Sequence, residues 1–125
     1  MTNAVSWFEI PVKDFNRAQQ FYSTLYGKDV VEMPMPDGTK YGVLPYDHEN
    51  GGVGGGIIET KEQIETATNG LTVYLNGGDD LSTPLSKVEA AGGKIVMPKT
   101  SIGENGFMAL FIDTEGNRLA LHSAK

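Results

Sequence analysis

The chain states one pattern twice, and a repeat of this kind restricts the fold more than any compositional property does. The segment VSWFEIPVKDFNRAQQFYSTLYG opens on mostly apolar, β-favouring residues and then meets Asp14, a side chain suited to capping a helix. Ala18, Phe21, Tyr22 and Leu25 follow at helical spacing, and Gly27 supplies the stop. GLTVYLNGGDDLSTPLSKVEAAGG repeats the plan with Asp80, a stripe of Leu81, Leu85 and Val88, and then Gly92 and Gly93. The spacing from Asp14 to Gly27 equals that from Asp80 to Gly93. After each helix come three short β-favouring runs separated by turn residues, such as DGTK in the first half and TEGN in the second. The pattern predicts an α+β fold of two βαβββ modules, about 4–59 and about 70–123, within a single domain over 1–125. The connection TKEQIETATN is expected to form a short helical turn.

Length and composition agree with this plan and remove several classes of function. At 125 residues and 39% hydrophobic content the chain can bury a core of its own. It contains no run of about 18 apolar residues, which argues against a membrane span. The start MTNAVSWFEI lacks the basic opening and apolar run of a secretory signal, so the cytoplasm is the expected location. Without cysteine there is no disulfide, thiolate nucleophile or sulfur metal site. The formal charge is −6, the guanidinium groups are those of Arg17 and Arg118, and the lysines are scattered. Nucleic-acid binding needs clustered cations, so no such partner is expected. GGVGGG (Gly51 to Gly56) fails the dinucleotide fingerprint in either frame and has no Lys-Ser/Thr pair after it. It reads instead as a hairpin leading into a strand whose backbone is closely approached.

FEIPVKDFNRAQQFYSTLYG near the start and GFMALFIDTEGNRLAL near the end resemble the vicinal oxygen chelate superfamily. That group covers glyoxalase I-like lyases, extradiol dioxygenases, fosfomycin-resistance enzymes and bleomycin-binding proteins. The motifs carrying the likeness are Asp-x-x-x-Ala-x-x-Phe-Tyr from Asp14 and Asp-x-x-Gly-Asn from Asp113. Among its members the chain is similar to small stand-alone glyoxalase-related proteins labelled as lyases without an established substrate. The resemblance implies a curved mixed-sheet cup built from both modules and, for a chain this short, a homodimer. In the metal-dependent members, inner strands supply His, Glu or Gln ligands to a divalent ion. Carried over through the helix-start Asp residues, two of those places fall on Trp7 and Val73, seven residues earlier in each case. Carried over through the closing Asp, a third falls on Ala120, and the fourth lies near Glu59. The family's usual metal site is therefore not expected, and neither is a standard lactoylglutathione lyase.

Strand alternation assigns the remaining wall of the expected cup. Glu9 and Pro11 go with Trp7, Arg118 and His122 with Ala120, and Leu71 and Leu75 with Val73. Glu9 and His122 are the candidate catalytic acid–base pair. The alternative is a structural pair in which Glu9 is bonded to His122 or Arg118. Trp7, Val73, Arg118 and Ala120 are the candidate ligand-binding residues, although Trp7 can equally plug the cup as core. No cofactor is expected; a divalent metal displaced onto Glu9, His122 and Glu59 is the alternative. Phe8 should point into the helix–sheet core, His48 should be a solvated loop residue, and Tyr74 and Phe107 should be structural. The expected function is binding of a small, partly apolar compound. The alternative is a lyase or isomerase of the glyoxalase I type using Glu9 and His122 or a displaced metal.

Overall fold

A computed structural model of the chain describes residues 3–59, 66, 68 and 71–125. Apart from Thr66 and Thr68, the helical turn expected in TKEQIETATN lies outside the described residues. The chain divides into two compact units, Met1–Thr66 and Ala67–Lys125, each with the βαβββ order read from the repeat.

The first unit runs β1 (Trp7–Pro11), α1 (Phe15–Tyr26), β2 (Val31–Met33), β3 (Lys40–Val43) and β4 (Gly54–Glu59). Its sheet has the order β1-β4-β3-β2, with β1 and β4 parallel and the other neighbours antiparallel. The helix starts where the sequence places it, because a carboxylate oxygen of Asp14 accepts the Arg17 N–H at 3.1 Å. It ends at Gly27, whose φ of 69° is the left-handed conformation that glycine adopts without strain. Phe15, Ala18, Phe21, Tyr22 and Leu25 form its buried stripe, and Ile10, Val12, Leu44 and Ile57 are buried in the same unit. Burying a ring such as Phe21 stabilises the fold by about 2 kcal/mol or somewhat more. Behind the helix, Ser23 Oγ accepts the Val30 N–H at 2.9 Å and Gln19 Nε2 donates to the Val30 carbonyl at 2.9 Å. Those two bonds fix the return of the chain into β2.

The second unit runs β5 (Tyr74–Asn76), α2 (Ser82–Leu85), β6 (Lys94–Ser101), β7 (Phe107–Ile112) and β8 (Arg118–Ser123), with a 3-10 turn at Gly103–Asn105. Its sheet order is β5-β8-β7-β6, the counterpart of the first, and again the first pair is parallel. Leu75, Ala109, Phe111, Leu119 and Leu121 are buried on one face, as are Leu81, Leu85 and Val88 of the α2 region.

The repeat predicted a full helix from Asp80 to Gly93, but α-helix proper covers only α2, with turns continuing to Gly92. Pro84 has no N–H to donate, and Ser86 Oγ takes the Thr83 carbonyl at 2.8 Å. The Lys87 N–H bonds the Pro84 carbonyl instead, and the next N–H, from Val88, bonds that of Leu85; both are tighter 3-10 connections.

The closing Asp-x-x-Gly-Asn motif forms the turn between β7 and β8. Asp113 is buried, and one of its carboxylate oxygens accepts the Glu115 and Asn117 N–H groups, each at 2.8 Å. Its other oxygen accepts from Asn117 Nδ2 at 3.1 Å, and Gly116 takes the φ of 88° that the turn needs. A buried carboxylate held by so many donors is a structural device, and it explains why the motif marks the fold rather than the chemistry.

Candidate functional site

In the first unit, the register places Trp7, Glu9, Tyr41 and Val43 on the sheet face turned away from α1. Phe8 takes the opposite face, where its ring lies over Gly55. The glycine run is what makes the Trp7 face possible. A Cβ on Gly54 would lie 2.6 Å from the Tyr46 ring, and one on Gly56 would lie 2.6 Å from the Tyr41 ring. Gly54 to Gly56 thus form a strand floor onto which aromatic rings settle, in agreement with the reading of GGVGGG as a closely approached backbone.

These rings are tied to Trp7. Its indole Nε1 donates to the Tyr41 hydroxyl at 2.6 Å, and its ring meets Tyr46 edge-on at 5.6 Å between centroids, 80° between planes. Tyr46 in turn meets His48 at 5.9 Å and 83°, although His48 is exposed in its loop as expected.

The Tyr41 phenol also faces Glu9. Burial holds its pKa above the ordinary tyrosine value; the Trp7 N–H works against that rise, and hydrogen bonding to the Glu9 carboxylate adds to it. The phenol therefore keeps its proton and accepts from the indole. Trp7 itself is 36% exposed, so its indole is partly accessible on this face. Tyr41 and Tyr46 gave no sequence signal of their own; the glycines opposite them were the available clue.

Glu59 does not join this face. It alternates with Ile58 toward the helix side, and its Oε1 accepts the Phe15 N–H at 2.8 Å, where it caps α1 together with Asp14. The place near Glu59 considered as a metal ligand is thus occupied by a helix cap.

In the second unit, Arg118, Ala120 and His122 share one face of β8, as alternation predicts, with Met108, Leu110 and Ile112 opposite them on β7. The expectation for the fifth strand needs correction. Tyr74 and Asn76 pair with Ala120 and His122 and share their face, whereas Leu75 pairs with Leu121 and is buried in the core at 2% exposure. Val73 alternates with Tyr74 and so falls on the Leu75 side, its carbonyl accepting the Ala120 N–H at 3.0 Å. The physical reason is an extra residue in the turn. Ile10, Val12 and Phe15 are the buried series leading into α1, and Leu75, Gly77 and Leu81 are the series leading into α2. The second series is longer by one position, so counting back seven from Asp80 stops one residue short of the true equivalent of Trp7, which is Thr72. Tyr74, paired with Ala120, is 54% exposed.

Arg118 reaches Thr72, its Nη2 donating to Oγ1 at 2.9 Å, and its Nε is buried without a hydrogen-bond partner among the described residues. His122 Nε2 lies 2.7 Å from the Asn105 carbonyl. A carbonyl only accepts, so Nε2 is the donor in this contact. Ala120 is fully buried. His122 is thus held by Asn105 within the second unit, while Glu9 lies on the Trp7 face of the first. Among the described residues, no group of three or more His, Cys, Asp or Glu side chains is arranged to hold a metal ion.

Comparison with known proteins agrees with the architecture. Residues 5–40 match the model of the bleomycin resistance protein-like N-terminal family. The chain is 28% identical over 122 residues to CFP32 of Mycobacterium tuberculosis, a candidate glyoxylase by its name; the match covers 95% of this chain and 45% of that protein. The chain thus spans about half the length of this curated relative. Among solved structures, glyoxalase I from Zea mays superimposes with a TM-score of 0.72 at 20% identity, covering 95% of this chain and 45% of that one. A glyoxalase/bleomycin resistance protein from Albidiferax ferrireducens gives 0.71 at 17% identity, covering 95% and 97%.

Proposed function

The chain has the fold of the glyoxalase/bleomycin resistance/dioxygenase superfamily, and from that premise we propose that it binds a small, partly apolar compound. One observation carries the reading. At the place where the resemblance implies a metal ligand stands Trp7, partly exposed and fixed by Tyr41 and Tyr46. A rigid, accessible indole on a sheet face offers a stacking surface at small entropic cost.

The side chains at the family's metal positions do not fit a divalent ion. Trp7 and Ala120 offer no lone pair suited to a metal, Thr72 is bonded to Arg118, and Glu59 caps α1. A hard divalent cation asks for several oxygen or imidazole ligands at once, and we derive no step through one. Within the second unit, the β8 face that carries Arg118 and Ala120 is proposed as a further binding surface. The reading extends to a cytoplasmic homodimer whose partner is a small molecule.

The alternative reading is a lyase or isomerase; the feature that favours it is the His122 ring, held in place by its Nε2 contact with the Asn105 carbonyl, as the imidazole of an acid–base pair with Glu9. One experiment separates the two. The intact protein is titrated with a panel of planar and thiol-conjugated compounds, following the fluorescence of its single tryptophan and assaying each mixture for conversion. Binding without conversion is the expected result. Conversion lost in Glu9→Gln would establish the enzyme instead, and silence of Trp7 toward the whole panel would sink the binding reading.

A further inference from the structure

We propose that the compound bound on the Trp7 face is an organic cation, with its charge on an alkylated nitrogen; this rests on the small-molecule reading above and narrows its ligand class. The argument begins with charge. On the four strands of the first unit, the face carrying Trp7 also carries Glu9, Val31, Met33, Tyr41 and Val43. Glu9 is the one formal charge among them; Glu32, Lys40 and Glu59 alternate onto the other face. Among the described residues Glu9 has no ion pair, and the Tyr41 phenol lies beside it.

Around that carboxylate the surface is aromatic and apolar. Trp7 and Tyr46 stand almost at right angles, 80° apart, so the two rings present walls in different directions. Ring faces carry negative electrostatic potential, and such walls on the strand face that also carries the Glu9 carboxylate select for positive charge. The same surroundings decide which cation. A primary ammonium needs several acceptors and a metal ion needs several ligands, whereas this face offers little beyond Glu9. A quaternary or otherwise alkylated nitrogen spreads its charge over an apolar surface and needs no such acceptors.

The test uses the intact protein and a pair of isosteres, choline and uncharged 3,3-dimethyl-1-butanol, measured by calorimetry with indole as a planar neutral control. Choline is expected to bind at least about tenfold more tightly than its isostere. Glu9→Gln and Tyr46→Leu should each remove most of that preference, and added salt should weaken choline binding. Equal binding of the isosteres, or an undiminished preference in Glu9→Gln protein that retains the native circular dichroism spectrum, overturns the inference. If indole binds and choline does not, the cation inference falls while the small-molecule reading stands. If the compounds of both experiments fail to bind, both fall.

Discussion

Asp80 is a residue whose charge acts on the fold and not on the candidate face. Lys99 Nζ lies 2.9 Å from its Oδ1, and the Ser82 N–H donates to the same oxygen at 2.9 Å. Lys99 chiefly, with Ser82 next, lowers the Asp80 pKa from 3.8 to about 2. Because the folded value is the lower one, the pair supports the fold above the unfolded pKa, and that support is lost as pH falls through about 2. Asp80→Asn should therefore lower Tm modestly at pH 7 and leave it close to wild type near pH 2, with the pH 7 difference shrinking in high salt. Thermal melts across that range check it; a difference that persists near pH 2 would show that the carboxylate charge is not the cause. Asp80 was legible in the sequence only as a cap. Its partnership with Lys99 depends on where β6 lies, which no local pattern records.

At the scale of elements, β4 shows how side-chain absence shapes a site. Gly56 leaves room for the Tyr41 ring, whose hydroxyl in turn holds Trp7. Gly56→Ala should displace that ring, cost about 1–3 kcal/mol by overpacking, and alter the emission of Trp7. Denaturant unfolding and fluorescence read both effects; an unchanged emission spectrum would mean that the ring position does not govern Trp7. The helices show the complementary case. Asp14, the apolar stripe and Gly27 gave α1 its place from sequence alone, since a cap, a stripe and a stop are all local signals. α2 stopped short because the Ser86 hydroxyl captured a carbonyl that a continued helix requires. Spacing alone does not reveal that competition.

For the whole molecule, the resemblance leads to a homodimer, and sedimentation equilibrium of the intact chain should return a two-chain mass. A single-chain mass at micromolar concentration would remove that expectation. No helix among the described residues is long and apolar enough to cross a membrane. The sequence by itself determined the doubled βαβββ order, the turn built on Asp113 and which side chains of β1 and β8 share a face, because capping, turn chemistry and strand alternation act between near neighbours. Only the tertiary structure decided that Thr72 and not Val73 matches Trp7, that Glu59 caps a helix, and that Tyr41 and Tyr46, whose rings lie over Gly56 and Gly54, hold Trp7. Those outcomes depend on register between strands far apart in sequence. One added residue in a turn reverses every side chain behind it, and an alternating pattern read along a single strand does not detect that change.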